Sequence, residues 1–249
     1  VAVPVLGDGR GSNLLVADTG FEGLAIQLGP GFEEVGVAGT RLTAGGAASL
    51  PTVARLSVAE GLAGFEWAVG VPGSIGGAVR MNAGGHGSEM SEVVEAVTLV
   101  DLTDGDRRTV PVGGLDLGYR RSSVADTQVV ASVTLRLDGG ARSDGEELLA
   151  EIVRWRRENQ PGGQNSGSVF TTPPGDSAGR LIELADGKGL RIGSAVVSER
   201  HANFIQADAG GSADDVLQLM EEVRRRVAEA HGVVLQPETI LLGFEAVDR

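Results

Sequence analysis

The chain has 249 residues, 41% of them hydrophobic, which is room for one large domain or two ordinary ones around a real core. Its formal charge of −13 argues against a nucleic-acid partner, which needs a basic face, so any phosphate site must be built locally from backbone N–H groups and a few placed side chains. There is no cysteine, excluding disulfides, thiolate metal sites and cysteine nucleophiles. No apolar run reaches membrane-span length and no signal peptide is visible, so a cytoplasmic protein without a membrane partner is expected.

The chain opens at Val1-Ala2-Val3-Pro4-Val5-Leu6, which reads as a strand already under way, so the numbering is expected to start inside a longer protein. Short apolar runs broken by glycine then predict strands at Val3–Leu6, Leu14–Val16, Leu24–Leu28, Val35–Val37, Val97–Val100 and Val129–Leu135. One helix is predicted among them, at Leu50–Glu60. With 39 glycines the chain suggests tight turns and close backbone approaches rather than a helical bundle. The polar, glycine-rich stretch Asp138–Gly145 reads as a linker and places a boundary between residues 1–142 and 143–249. Beyond it come a helix at Glu146–Glu158, a loop over Gln160–Gly167 and the clearest helix of the chain. Ser212 with Asp215 resembles a capping box there, Val216, Leu219, Met220, Val223, Val227 and Ala230 share a face, and Gly232 suits the C-terminal stop. The arginine groups at 154, 156, 157 and at 224, 225, 226 read as solvated helix faces. A strand at Thr239–Leu242 closes an α+β pattern in two lobes.

Two glycine-dense loops carry the first chemical signal. Gly7-Asp8-Gly9-Arg10-Gly11-Ser12-Asn13 follows a strand, and its glycines let backbone approach a ligand and turn N–H groups toward a pyrophosphate. Taken alone it reads more readily as a strand–strand turn. It is neither a Rossmann fingerprint, since no helix follows, nor a P-loop, since no Gly-Lys-Ser/Thr follows. The second loop holds Gly70, Gly73, Gly76 and Gly77 and runs on through Asn82-Ala83-Gly84, which suits backbone lying against a flat or phosphorylated ligand. Two such loops in one lobe point to a large cofactor with a diphosphate.

Other candidates are less decided. Either Arg120 or Arg121 could be a fixed cation facing an anion, and the sequence does not choose between them. Ser168, in Gly167-Ser168-Val169-Phe170, lacks the Gly-x-Ser-x-Gly elbow of a hydrolase; a proton-donating hydroxyl and a turn-capping serine explain it equally well. His201 and Asn203 fall on one face of an extended segment, and Glu238 follows Gln236-Pro237 without a deciding neighbour. Three unpaired histidines do not make a metal site, so no metal is expected.

Taken together and in order, these motifs resemble the UDP-N-acetylenolpyruvoylglucosamine reductases. The residues that carry the likeness are Gly11-Ser12-Asn13-Leu14-Leu15, Gly70-Val71-Pro72-Gly73-Ser74-Ile75-Gly76-Gly77, Asn82-Ala83-Gly84, Gly118-Tyr119-Arg120, Gly167-Ser168-Val169-Phe170, Ala178-Gly179-Arg180-Leu181-Ile182, Lys188-Gly189 and His201-Ala202-Asn203-Phe204. The resemblance implies an FAD-binding domain of the vanillyl-alcohol-oxidase/PCMH type followed by a C-terminal α+β substrate domain. It implies a ping-pong flavoenzyme of peptidoglycan synthesis: NADPH reduces FAD, and the reduced flavin passes a hydride to the enolpyruvyl group of UDP-N-acetylglucosamine enolpyruvate, giving UDP-N-acetylmuramate. It places the family's arginine on Arg120, its proton donor on Ser168 and its glutamate on Glu238. FAD contacts carry over to Gly9, Gly11, Ser12, Asn13, Val71, Pro72, Ser74, Gly76, Gly77, Asn82, Ala83 and Gly84, and substrate contacts to Thr172, His201 and Asn203.

The chain departs from the family at four places. Asp8-Gly9 looks like a small insertion, Thr172 stands where asparagine is common, and His86 stands where tyrosine is frequent. A Thr-Thr and Gly-Gly segment that packs on FAD in the family would precede Val1 and is expected to be missing. The stretch between Arg120 and Ser168 is compact, like the shorter class of these enzymes. An alcohol oxidase or dehydrogenase on the same superfold is a competing reading, but those often tether flavin through histidine or cysteine, and the Ser168 and His201 stretches match the reductases. A binding-only protein that no longer holds FAD is the second alternative. The sequence does not define an oligomeric state.

Overall fold

The computed structural model describes residues 4–163 and 165–244, apart from the side chain of Asp8. The opening strand therefore begins, as described, at Val5–Asp8; its expected start over residues 1–3 lies outside the described residues, as does Gln164 of the Gln160–Gly167 loop. The chain divides into two compact units, Val1–Arg10 with Gly23–Arg156, and Gly11–Glu22 with Arg157–Arg249.

The first unit is built on a five-stranded antiparallel sheet in the order Arg107–Pro111, Val94–Asp101, Gln128–Arg136, Arg41–Gly45, Val35–Ala38. Alternation along the strands sends Val94, Val97, Leu99, Val133, Leu135, Leu42 and Ala44 into the core. Arg41–Gly45 escapes the sequence reading because its inward residues are only a leucine and an alanine, a weak apolar signal for a strand near the centre of the sheet. The register of Gln128–Arg136 shifts at Ala131, a bulge whose carbonyl accepts the Gly46 N–H at 2.8 Å. A separate parallel pair joins Val5–Asp8 to Leu24–Gln27.

Three helices belong to this unit in whole or part: α1 (Leu50–Ala59), α2 (Ile75–Arg80) and α3 (Arg142–Asn159). The stretch read as a linker is ordered structure. Asp138–Gly139 pairs with Leu62–Ala63, and α3 already starts at Arg142. Gly145 explains why: it is buried where a Cβ would come within 2.8 Å of Val58 on α1, so this glycine permits close helix packing instead of breaking the chain. The division between the units accordingly falls inside α3, at Arg156/Arg157, and not at 142/143.

The second unit pairs Leu14–Val16 in parallel with Ile240–Leu242 and adds a three-stranded antiparallel sheet of Arg191–Ile192, Ala195–Val197 and Ile205–Ala207. Its core gathers Phe170, Ile182, Val197, Leu219, Met220, Val223, Val227 and Leu235, drawn partly from α4 (Ala178–Leu184) and α5 (Ala213–His231). α5 ends at Gly232 with φ +67°, the left-handed stop expected of it. Its N-terminus differs from the expected capping box. Ser212 caps the Asp214 N–H at 3.1 Å, but Asp215 turns away to accept from the Ser194 N–H and hydroxyl, both at 2.7 Å. Asp18 completes the cap, accepting from the Ser212 hydroxyl and the Ala213 N–H.

Among the described residues, no helix is long and apolar enough to cross a membrane, and no three His, Asp or Glu groups come together as metal ligands.

Candidate active site

In the first unit the glycine loops meet at Ser74. The backbone at Gly9 runs so close that a Cβ there would sit 2.3 Å from the Ser74 hydroxyl oxygen. Ser74 also caps α2, accepting the Gly77 N–H at 3.3 Å. The two adjacent glycines of α2 face different ways. Gly77 is exposed, whereas Gly76 is buried against the Gly46 carbonyl, where a Cβ would lie at 2.9 Å, and its N–H donates to that same carbonyl. Gly76 therefore serves packing of α2 on the sheet. Gly84 is similar, with a Cβ blocked at 2.5 Å by the Ser88 carbonyl in the hairpin Gly84–Gly85 with Ser88–Glu89. Gly73, at φ +114°, has open space beside it. Val71 and Ala83 are half-buried against the core, and Pro72 is exposed.

Arg120 sits in a tight turn in which Gly118 and Arg121 exchange backbone hydrogen bonds at 3.1 Å. Its φ of +55° is the left-handed region, unusual for a residue with a side chain. The two candidate arginines separate here. Arg121 is exposed and pairs with Asp116 at 3.4 Å, while Arg120 is half-buried, stacks over the Tyr119 ring at 5.1 Å and reaches toward the Asn82 carbonyl at 3.5 Å.

Asn82 is fully buried, itself at φ +41°, and its amide is committed inside the protein. Its Nδ2 donates to the Gly118 carbonyl at 3.1 Å, and its Oδ1 accepts the Ser91 N–H at 2.9 Å. Asn82 thus ties the Arg120 turn to the Glu89–Ser91 turn. The Glu89 carboxyl is held below its ordinary value by the Ser91 hydroxyl at 2.5 Å, then by Asn82, with the Arg120 charge adding to both. Neither Glu89 nor Ser91 stands out in the sequence; a glutamate and a serine among glycines look like any polar turn. His86, where the family often has tyrosine, packs edge-on against Trp155 at 5.1 Å.

In the second unit Ser168 is half-buried at the start of an extended segment. Val169 accepts the Glu238 N–H at 2.8 Å and donates to the Asn203 carbonyl at 2.9 Å, and the Thr171 N–H donates to Gln236 at 2.9 Å. Asn13 donates from Nδ2 to the Glu238 carbonyl at 3.0 Å, so this residue of the first glycine loop steadies the Glu238 backbone. Gly11, at φ +63°, and Ser12 precede it in the same unit. Asn203 is buried, and both ends of its amide go to the Phe170 backbone: Oδ1 accepts the N–H at 3.0 Å and Nδ2 donates to the carbonyl at 2.8 Å. The side chain expected to face substrate is therefore turned into the fold. His201 is half-buried, stacks edge-on against Phe204 at 4.8 Å and accepts the Asn203 N–H on Nδ1 at 3.2 Å. Burial pushes its imidazole below the ordinary value, and Lys188 acts in the same sense. The neutral ring, with Nδ1 accepting, carries its proton on Nε2. Thr172 is exposed.

Arg154, Arg157 and Arg225 are exposed, as solvated helix faces require, but the groups also make specific contacts. Arg156 is half-buried and donates to the Gly70 carbonyl, while Arg225 and Arg226 converge on Glu222.

Comparison with known proteins supplies a second line. A family model described as the C-terminal domain of UDP-N-acetylenolpyruvoylglucosamine reductase matches residues 159–242, and one described as an FAD binding domain matches 2–110. The UDP-N-acetylenolpyruvoylglucosamine reductase of Heliobacterium modesticaldum is 45% identical over 244 residues, covering 97% of this chain and 77% of the relative. That of Rubrobacter xylanophilus is 43% identical, with 97% and 81% covered. Among solved structures, the UDP-N-acetylenolpyruvylglucosamine reductase (MurB) of Thermus caldophilus matches with a TM-score of 0.86 at 36% identity, over 97% of this chain and 86% of that one.

Proposed function

The chain belongs to the UDP-N-acetylenolpyruvoylglucosamine reductase family, and on that premise we propose how its residues share the work of the reaction. It is an α+β flavoprotein oxidoreductase of peptidoglycan precursor synthesis that reduces the enolpyruvyl group of UDP-N-acetylenolpyruvoylglucosamine, with FAD as cofactor and NADPH as reductant. A nucleotide-sugar substrate and NADPH support a cytoplasmic setting for this work. We take the first unit as the FAD domain and the second as the substrate domain.

The residues of the first unit fit a flavin dinucleotide. Backbone without side chains at Gly9 and Gly77 lies against the Ser74 hydroxyl, and Gly9 leaves no room for a Cβ. Such a donor set suits a diphosphate. FAD would be held by Gly9, Val71, Pro72, Ser74, Gly77, Ala83 and Gly84 there; Gly76 and Asn82 support this backbone from within. When bound, FAD carries two electrons from NADPH to the terminal enolpyruvyl carbon as a hydride.

Arg120 holds the substrate carboxylate and stabilises the negative charge that grows there as the adjacent carbon gains carbanion character. Ser168 delivers the proton that this carbon needs, so that hydride and proton together saturate the double bond. Glu238 serves the same protonation. The observation that carries this reading is the hydrogen bond from the Glu238 N–H to the Val169 carbonyl at 2.8 Å, which ties the two candidate residues into one strip of backbone. His201, neutral and with Nε2 bearing the proton, and Thr172 are polar groups for the substrate.

Anaerobic stopped-flow separates the two half-reactions. Ser168→Ala is expected to leave flavin reduction by NADPH intact while reoxidation by the enolpyruvyl substrate slows ~10²–10⁴-fold. Equal slowing of both halves would remove Ser168 from the proton-donor role. Glu238→Gln should show the same split.

A further inference from the structure

Asn203 has a geometry that a substrate contact does not need. An amide side chain offers an acceptor and a donor in one plane, as a peptide unit does, with a second N–H to spare. Here it meets the Phe170 N–H at 3.0 Å and the Phe170 carbonyl at 2.8 Å, both bonds buried, so that it stands in for a neighbouring strand. The Asn203 backbone repeats the contact one residue earlier through the Val169 N–H. On its other flank the same segment is held by Gln236 and Glu238. Ser168 is the residue immediately before this doubly clamped stretch.

We propose that Asn203 is a positioning residue for substrate protonation, fixing the backbone that carries Ser168 and, through Val169, its register with Glu238. This rests on the proton-donor reading of Ser168. The physical reason is that a hydroxyl giving up a proton must hold its angle to the accepting carbon, and a displacement of an ångström costs rate without abolishing the fold. An isosteric side chain replaces both bonds only if it offers one donor and one acceptor. An ionised aspartate accepts from the N–H but sets its second oxygen against the Phe170 carbonyl. A protonated aspartic acid is again one acceptor and one donor and rebuilds the pair. The titratable neighbours are His201, which accepts the Asn203 N–H, with Lys188 and Glu183 beside it. They are the same in wild type, which therefore serves as the pH reference.

The test is Asn203→Asp, Asn203→Ala and Ser168→Ala on the full chain, each by anaerobic stopped-flow for both half-reactions across pH, with thermal melts of the flavin-free chain alongside. Positioning predicts that both Asn203 variants reduce flavin with NADPH at close to the wild-type rate, while reoxidation by the enolpyruvyl substrate slows by up to ~10²-fold. In Asn203→Asp alone, reoxidation and melting temperature should both recover toward wild type as pH falls through the pKa of the new carboxyl. The proposal is overturned if the two half-reactions slow together, if neither slows, if lowering the pH restores nothing, or if neither variant accumulates as folded flavoprotein. If Ser168→Ala slows reoxidation while the Asn203 variants do not, only the Asn203 inference falls. If Ser168→Ala is without effect, the proton-donor reading fails and takes this inference with it.

Discussion

Asn82 and Gly76 show how little a residue's type says about the direction it faces. In the sequence both belong to loops that look built for a ligand, yet one spends its amide on the Gly118 carbonyl and the Ser91 N–H and the other on packing against Gly46. Asn82→Ala would leave the part-buried Ser91 N–H without its partner and take one of two donors from the Gly118 carbonyl, which keeps the Arg121 N–H, a cost of ~1–3 kcal/mol in all. It should also loosen the turn that sets the left-handed backbone of Arg120. Urea denaturation reads the first effect, and a raised KM for the enolpyruvyl substrate reads the second. A variant as stable as wild type would show that water replaces the amide. Gly76→Ala forces a methyl to within 2.9 Å of the Gly46 carbonyl and is expected to destabilise by ~1–3 kcal/mol, the usual range for overpacking. Gly77→Ala, on the exposed side of the same helix, should cost far less stability; equal losses would mean that α2 is not seated as described.

At the scale of elements, α5 illustrates what periodicity carries and where it stops. Leu219, Met220, Val223 and Val227 all bury as the helical spacing requires, but Ala230, on the same predicted face, is exposed in the last turn. Leu219→Ala should therefore cost ~2–5 kcal/mol in a chemical melt, whereas Ala230→Ser should leave the midpoint nearly unchanged. Ser212→Ala should cost ~1 kcal/mol as a lost cap. The loss should exceed that of a solitary cap, because the Ser212 hydroxyl also donates to Asp18 at 2.7 Å. Strands made of β-branched runs, such as Val129–Leu135, are legible because the run itself carries the signal. Arg41–Gly45 is not, since its burial comes from being enclosed by neighbours on both sides rather than from its own hydrophobicity. The Asp138–Gly145 stretch fails for the opposite reason: its glycines look like chain breakers until the helix that Gly145 packs against is known.

Across the whole molecule, acid should destabilise the fold in two stages. The carboxyls of Asp18, Glu89, Glu95, Asp101 and Asp215 all lie below their ordinary values through hydrogen bonds from hydroxyls, backbone N–H groups and arginine, and Glu222, beside Arg225 and Arg226, is brought down to about 2. A group with a lower pKa in the folded state leaves the unfolded chain binding more protons between the two values. Its stabilisation is complete above the ordinary value and disappears as pH falls through the folded one. His201 follows the same sign from its ordinary 6.5 downward, because burial favours its neutral form. The melting temperature should thus fall slightly below pH 6.5 and more steeply from about pH 4.5 toward pH 2. A melting temperature that held steady to pH 3 would contradict this account.

The sequence alone determined the class of the protein. Cysteine content, charge, glycine density and the order of short motifs from Gly11-Ser12-Asn13 to His201-Ala202-Asn203-Phe204 depend only on which residues occur and in what order, and that order is what a family retains. It also determined seven of the sixteen strands among the described residues and the long helices, whose patterns are local. Only the tertiary structure decided which way the polar residues of those motifs point. It separated half-buried Arg120 from exposed Arg121, turned Asn82 and Asn203 into the fold, and set Glu238 beside the Ser168 segment. The physical reason is that a hydrogen bond is satisfied by whatever partner folding brings within about 3 Å, and the partners here lie tens of residues away along the chain.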